Sequence, residues 1–306
     1  MAALSVIVPS YNGAHKLPQL LEALVSQQSE CDFELIVVVD GSTDCSEEVL
    51  IAWQSRFQAL RIISQANGGR AQARNAGAAA AVGELLLFFD DDMRPRPGLL
   101  AAHQQRHKHW PQPSILIGQA LEDYERLQTD LQRYRAYLSR HWAKPYEGLG
   151  EQPLPPGQVF LTAAHCSLPK QLFEQLQGFD EALTDAEDFD FAIRAAEAQV
   201  PMYFDTNLVA WHDDFITARS YVRRLREYKR AHEDLQMRKP ELYARYTQYN
   251  YRALDPLRQS IYWLLACWPW LWLLDYANVF RYLPKRVRYR IYDLILTANG
   301  VYFPAD

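Results

Sequence analysis

Three adjacent carboxylates, Asp90, Asp91 and Asp92, follow the apolar run Glu84–Phe89. Like charges at that spacing need a cation to offset them. Hard oxygen donors select magnesium or manganese, which usually meets one or two protein carboxylates and fills its shell with phosphates and water. The plainer alternative is a solvated acidic turn, since Asp also favours turns. A second buried-type run, Phe33–Val39, stops at Asp40 in the turn Gly41-Ser42-Thr43-Asp44. A carboxylate there suits hydrogen bonds from a nucleobase or ribose, whereas Asp44 reads as a cap for a helix starting at Glu47.

Asn67-Gly68-Gly69 precedes a helical stretch carrying Arg70 and Arg74, so free amides and two guanidiniums form a plausible diphosphate cradle. No Gly-Lys-Ser/Thr follows a glycine loop, and no Gly-x-Gly-x-x-Gly follows the first strand, which removes the main warrant for an ATPase or a dehydrogenase. Farther on, Asp180, Glu181, Asp185, Glu187, Asp188 and Asp190 crowd into eleven residues where a helix opens towards Arg194. The helix dipole favours acids there, but six exceed what capping requires, and one suits a general base. His212, after another strand-like run, offers an imidazole to a metal, though a lone histidine is more often structural. His103, His107 and His109 share a helix with Arg106 and Lys108 and read as solvated surface.

The elements that must position these groups alternate. Ser5–Pro9, Phe33–Val39, Leu60–Ser64 and Glu84–Phe89 are β-branched or apolar runs. Between them lie helical stretches: Leu17, Leu20, Leu21, Leu24 and Val25 follow helical spacing, and the alanine-rich stretch 70–81 is a second. Another helix is expected over Pro97–His109. This alternation argues for a Rossmann-like α/β sheet with helices on both faces, whose ligands bind beyond the strand carboxyl ends. Asp40 and Asp90 stand at two such ends. Lys144–Gly157 is Gly/Pro-rich and suits a flexible loop over the site, and Ser220–Tyr246 reads as one charged helix.

The 306 residues are 49% hydrophobic and 23% charged, enough for one large or two modest globular domains. A net charge of -5 gives no support to nucleic-acid binding. Residues 1–218 hold 16 Lys+Arg against 29 Asp+Glu, while residues 219–306 hold 16 against 8, so the last quarter prefers an anionic partner such as a membrane surface. Ile261–Leu274 is uncharged and contains Trp263, Trp268, Trp270 and Trp272, with Lys285, Arg286, Arg288 and Arg290 beyond it. Interrupted by Pro269 and too short to span a bilayer, it suits either the headgroup layer or a buried core or oligomer-interface helix. The four cysteines include no Cys-x-x-Cys pair and the first residues read as a strand, so a reducing, cytoplasmic setting is expected, peripheral on the membrane if the tryptophans insert.

Taken in order, Val6-Ile7-Val8-Pro9-Ser10-Tyr11-Asn12, the strand ending at Asp40, Ala73-Arg74-Asn75, Asp90-Asp91-Asp92, Gly178-Phe179-Asp180-Glu181 and Glu187-Asp188 resemble the family-2 inverting glycosyltransferases of the GT-A fold. The likeness covers about residues 4–215. It implies a mixed central sheet, a nucleotide-sugar half over about 1–120 and an acceptor half over about 121–218; the basic, Trp-rich stretch 219–306 lies outside it and is expected to be a helical extension. It implies transfer of one sugar from a nucleotide diphosphate donor to an acceptor hydroxyl, in glycan or glycolipid assembly, with manganese or magnesium as cofactor. Pro9, Tyr11, Asp40, Arg74, Asp90 and Asp91 fall on the nucleotide-sugar side, Asp92 and His212 on the metal, Asp188 as base and Glu187 on the acceptor. A Gln-x-x-Arg-Trp signature, carried by processive members, is missing, so single transfer is expected. Two competing readings are an inactive sugar-nucleotide scaffold at the membrane and a haloacid-dehalogenase-like phosphatase built on Asp90 and Asp92.

Overall fold

The computed structural model describes residues 4–149, 151–155, 157–246 and 254–303. The chain divides into two compact units, one of Met1–Leu121 with Trp142–Asp213, the other of Glu122–His141 with Asp214–Asp306.

The first unit opens with β1 (Leu4–Ser10), α1 (Leu17–Gln27), β2 (Phe33–Asp40), α2 (Ser46–Trp53), β3 (Leu60–Gln65), α3 (Gly69–Ala80) and β4 (Leu85–Phe89). These are the strands and helices that the residue patterns predict, shifted by one or two positions. Then come β5 (Met93–Pro95), α4 (Leu99–His109), β6 (Ile115–Leu121) and α5 (Asp130–Ala143), the last belonging to the second unit up to His141. The first unit continues with β7 (His165–Pro169), α6 (Lys170–Gln175), α7 (Glu187–Glu197) and β8 (Met202–His212).

The eight strands form one sheet in the order β3-β2-β1-β4-β7-β6-β8-β5. β1 runs parallel to β2 and β4, and β2 to β3, whereas β7 is antiparallel to both β4 and β6. β8 is parallel to β6 and antiparallel to β5. The sheet is therefore mixed, as the resemblance implies, and its parallel part carries the continuous apolar runs expected of strands buried on both faces.

Alternate residues of β1 and β2 face different helices. Val6, Val8, Val37 and Val39 share one core with Leu17, Leu20, Leu21 and Leu24 of α1. Ile7 and Val38 meet α3 on the other face, where a Cβ on Gly77 would lie 2.5 Å from Ile7 Cγ2. That close approach fixes how α3 lies against the strands whose ends build the site. On the same face Phe88, Phe173, Phe179 and Phe191 form an aromatic cluster with ring centroids 5.1–5.5 Å apart. It carries the Gly178-Phe179 turn and α7.

Three expectations are corrected. The helix placed over Pro97–His109 starts at Leu99, because Gly98 takes φ +77° and leaves Pro97 outside. The helix placed over Ser220–Tyr246 is two, α8 (Ala218–Arg238) and α9 (Pro240–Tyr246), since Pro240 brings no amide to continue the ladder. His103 and His107 are not solvated. His103 is fully buried, with Nδ1 2.7 Å from Ser167 Oγ and Nε2 3.0 Å from His165 Nε2, and His107 Nε2 lies 2.8 Å from the same hydroxyl. Only His109 is exposed. Within Lys144–Gly157, residues 150 and 156 lie outside the described residues; Leu154 is tied to the sheet by its amide, which donates to Met202 O at 2.7 Å.

The second unit continues with α10 (Pro256–Leu265), α11 (Trp268–Trp272) and α12 (Lys285–Thr297). Its core joins Leu131 and Tyr134 of α5 to Val222 of α8, Leu274, and Tyr292, Ile295 and Leu296 of α12. The buried Tyr292 hydroxyl lies 2.8 Å from Asp130 Oδ2 and 2.7 Å from Asn278 Oδ1, and Arg288 closes an ion pair on Asp130 at 2.8 Å. Arg288 is thus held by the core and is not part of a free basic run. Trp263 and Trp272 are exposed and Trp270 is half-buried, so Ile261–Leu274 is not a core helix.

Candidate active site

The site begins where the parallel strands end. After β1, Asn12 turns through φ +51° and ties its loop to the one after β2: its amide donates to Ser42 Oγ at 3.0 Å, and its Oδ1 accepts from the Thr43 amide at 2.8 Å. Asp44 adds to the same knot by accepting from the amides of Ala14 at 3.0 Å and Ser46 at 3.1 Å. The N-cap position of α2 is Cys45 and not Asp44, whose carboxylate instead joins the two loops just ahead of the helix.

Asp40 is 4% exposed at the end of β2. Its Oδ1 accepts from Gly68 N at 2.9 Å and Gln65 Nε2 at 2.8 Å, and its Oδ2 from Gly69 N at 2.8 Å. The carboxylate so anchors the glycine loop to the strand end, and each of its oxygens faces the entry to α3. Gly69 itself takes φ +87°, a conformation glycine adopts without strain.

A cleft of about 250 Å³ opens over these ends. Pro9, Tyr11, Asp40 and all three of Asp90, Asp91 and Asp92 line it, together with Lys16 and Arg70. Tyr11 is exposed on its rim. Lys16 Nζ lies 3.3 Å from Asp91 Oδ1 and 3.0 Å from Asp92 Oδ2, and Ser10 Oγ donates to Asp91 Oδ2 at 2.8 Å. Burial raises the Asp91 carboxyl to about 6 against the pull of Lys16. Burial would raise Asp92 too, but His212 and Lys16 hold it well below the usual carboxylate range.

The two arginines of the expected cradle part company. Arg70 is half-exposed on the cleft wall and pairs with Asp185 at 2.6 Å. Arg74 is 2% exposed, and its two terminal nitrogens donate to Glu187 Oε1 and Asp90 Oδ1, each at 2.7 Å. Glu187 is buried beside it, so its carboxylate is committed to Arg74. Asp188 follows at the first turn of α7, half-buried, with its Oδ1 accepting from the Phe189 amide at 2.7 Å. Burial, and then the charge of Glu187, raise the Asp188 carboxyl to about 7.

Asp92 and His212 meet because β5 pairs with β8, Met93 opposite His212, and the Asp213 amide donates to Asp92 O at 2.9 Å. His212 Nε2 lies 3.3 Å from Asp92 Oδ1, a buried oxygen that accepts no hydrogen bond. An unsatisfied carboxylate oxygen beside an imidazole suits a divalent cation such as manganese or magnesium. Among the described residues no group of three or more His, Cys, Asp or Glu side chains is placed to hold a metal ion by itself.

Sequence reasoning passed over Lys16, Asn75 and Arg194. Asn75 Oδ1 accepts from Phe179 N at 2.9 Å, and its Nδ2 donates to Phe179 O at 2.8 Å and Glu181 Oε1 at 2.9 Å. Arg194 donates to Asp190 at 2.8 Å, to Gly178 O at 2.8 Å and to Leu176 O, closing the same turn from below. Asn75 lies directly after Arg74 in one of the quoted motifs, which was its signal. A single lysine in a loop-to-helix junction has none.

The sequence model of Glycosyl transferase family 2 matches residues 5–177, more than half of the chain and most of the strands that bear the cleft. The chain belongs to this family. A glycosyltransferase of Haemophilus influenzae, described as uncharacterized, is 29% identical over 225 residues, covering 72% of this chain and 70% of that one. The validoxylamine A glucosyltransferase of Streptomyces hygroscopicus is 28% identical over 223 residues; the match takes in 65% of this chain and just over half, 52%, of that protein. Among solved structures, a mannosyltransferase from Pyrobaculum calidifontis in complex with GDP-Man and Mn2+ aligns over 99% of this chain and 88% of its own, with a TM-score of 0.62 at 18% identity. The likeness establishes the GT-A fold. Membership in family 2 also counts against the phosphatase alternative, in which Asp90 and Asp92 would stand at the first strand and not the fourth.

Proposed function

We propose that this family-2 glycosyltransferase moves one sugar from a nucleotide diphosphate donor to an acceptor hydroxyl, with inversion at the anomeric carbon. The observation that carries the reading is Arg74, which bonds Asp90 on the donor cleft and Glu187 beside Asp188, so that one guanidinium couples the nucleotide side to the candidate base.

In this reading Tyr11 and Pro9 flank the base, Asp40 orders the glycine loop and faces the nucleoside, and Asp90 and Asp91 lie on the ribose and diphosphate side. Asp92 and His212 would hold manganese or magnesium, which when bound offsets charge on the leaving diphosphate. Lys16 and Arg70, the cations on the cleft wall, add to that offset. Asp188 takes the proton of the acceptor hydroxyl as its oxygen bonds to the anomeric carbon and the carbon–oxygen bond to diphosphate breaks. A carboxyl raised to about 7 holds that proton better than an ordinary aspartate. Glu187 keeps Arg74 and the α7 start in place for it.

The acceptor in this reading is a glycan or a lipid-linked sugar, used on the cytoplasmic face of a membrane. No described helix is long and apolar enough to cross one. The decisive experiment is a thermal-shift screen against UDP-, GDP-, dTDP- and CDP-linked sugars with manganese, magnesium or EDTA, because a ligand that binds only the folded state raises the melting temperature. One nucleotide should stabilise the protein in a metal-dependent way. Stabilisation by none of them would leave the inactive-scaffold reading in its place.

A further inference from the structure

The second unit carries an apolar surface that the transfer chemistry does not use. α10 buries none of its residues, although it presents Leu257, Ile261, Trp263 and Leu264, with Trp263 70% exposed. Beyond α11, Tyr276 and Tyr282 are 74% and 78% exposed. Scattered exposed apolar side chains are ordinary, but a run of them over neighbouring elements marks an interaction surface.

α10 packs on α12, and the first turns of α12 bring cations. A cleft of about 630 Å³ lies between α5 and α12, with Tyr134, Tyr137 and Tyr289 on its walls and Lys285, Arg286 and Arg290 among them. Lys285 Nζ stands 5.1 Å from the Tyr137 ring centre and 5.4 Å from that of Tyr289. Among the described residues no carboxylate pairs with any of the three cations. The cleft's acidic side chain, Asp293, lies 3.4 Å from the Tyr134 hydroxyl that donates to it.

Charge decides what covers this surface. A two-fold pairing of this face with its own copy would set these cations against their own kind, whereas residues 219–306, with 16 Lys+Arg to 8 Asp+Glu, call for an anionic partner. Trp and Tyr beside Lys and Arg are the side chains that settle in a lipid headgroup layer. We propose that this unit docks on an anionic phospholipid surface, a lipid phosphate entering the cleft at Lys285, Arg286 and Arg290 while Trp263, Trp272 and Tyr282 sink into the headgroups. This deepens the lipid-linked acceptor reading, and rests on it only for what the enzyme does once docked.

The test is co-sedimentation of the full chain with vesicles of phosphatidylcholine alone or mixed with phosphatidylglycerol. Binding should require phosphatidylglycerol, weaken with salt, and fall at least about tenfold in the double variant Lys285→Glu/Arg286→Glu. Trp263→Ser, on a helix with nothing buried, should weaken binding without lowering the melting temperature. Equal binding to both vesicle types, or none to either, overturns the proposal. So does a self-associated chain in light scattering whose dimer is lost in Trp263→Ser. Inorganic phosphate that stabilises the chain as strongly as vesicles do, and blocks their binding, assigns the cleft to a soluble anion instead. The donor-induced thermal shift, run on the same variants, separates the two readings: it should persist in all of them, and its absence from the wild type would count against the transferase site and not against docking.

Discussion

Arg74 and Glu187 stand 113 positions apart in sequence and 2.7 Å apart in space, nitrogen to carboxylate oxygen, with neither side chain more than 6% exposed. The same guanidinium holds Asp90 at 2.7 Å, so removing it strands two carboxylates in a site that burial has already made costly for charge. Arg74→Met should cost about 3–5 kcal/mol in denaturant unfolding and abolish transfer. Glu187→Gln, which keeps an acceptor for Arg74, should cost much less. If both variants lost the same stability, the ion pair would not be what holds α3 to α7.

As the proposed base, Asp188 should set the pH dependence. Its carboxyl is raised to about 7, so below neutrality it is protonated and cannot take the acceptor proton, and the transfer rate should climb as pH rises through that value and then level. Asp188→Asn should lower the rate by about 100- to 10,000-fold and erase the rise, with the donor thermal shift unchanged. A wild-type profile already flat between pH 5 and 8 would move the base elsewhere.

The Gly178-Phe179 turn positions the acidic helix start, and it has room for no side chain. Gly178 sits at φ +63°, where a Cβ would also come within 2.8 Å of Asn75 Oδ1, the atom that accepts from the Phe179 amide. Gly178→Ala should therefore both strain the backbone and break that bond, at a cost of about 1–3 kcal/mol. Asn75→Ala, which leaves the Phe179 amide and carbonyl without their partner, should cost a similar amount. Calorimetry of the two variants checks both, and the double variant should cost less than their sum because they share one contact.

Strand ends were legible in the sequence because apolar runs stop abruptly at Asp40 and Asp90, and in a parallel sheet a stop is a place. Side-chain direction on helices was not. Arg74 and Arg70 lie one turn apart on α3, yet one is buried and the other half-exposed, which depends on how closely Gly77 lets the helix approach β1. The histidines fail for a related reason. His103 and His107 are four residues apart and share a helix face; of the charged residues that suggested solvent, Lys108 is exposed, but Arg106 is itself partly buried, donating to the fully buried Asp205 at 2.7 Å. A mid-strand glycine was the available clue: a Cβ on Gly118 would meet the His165 ring at 2.1 Å, so the strand is bare where that ring lies.

Those histidines make the fold acid-sensitive. Burial pushes His107 down to about 4 and His165 to about 3, and His103 well below its ordinary range, the charge of His165 adding to its burial. The unfolded chain binds protons on them near pH 6.5 while the native state does not, so their contribution is whole above about pH 6.5 and drains away as pH falls towards 4. Asp188 and Asp91, raised in the native state, act with the opposite sign. His107→Gln, at the half-buried end of the network, should flatten the fall in unfolding free energy between pH 6.5 and 4. An unaltered slope would mean that the network opens before it protonates.

A metal at the proposed site would compete with Lys16 for the same charge. The ammonium already bridges Asp91 and Asp92, while Asp92 Oδ1 faces His212 Nε2 at 3.3 Å with no hydrogen bond of its own. Asp92→Asn should therefore lose the manganese-dependent part of the donor thermal shift, and His212→Gln should weaken it. Lys16→Met removes the resident cation from a crowded acidic site, so it should lower the manganese concentration needed for half of that shift. If Lys16→Met instead abolished donor binding at every manganese concentration, the ammonium would itself be a ligand of the diphosphate. The metal would then act beside it and not in its place.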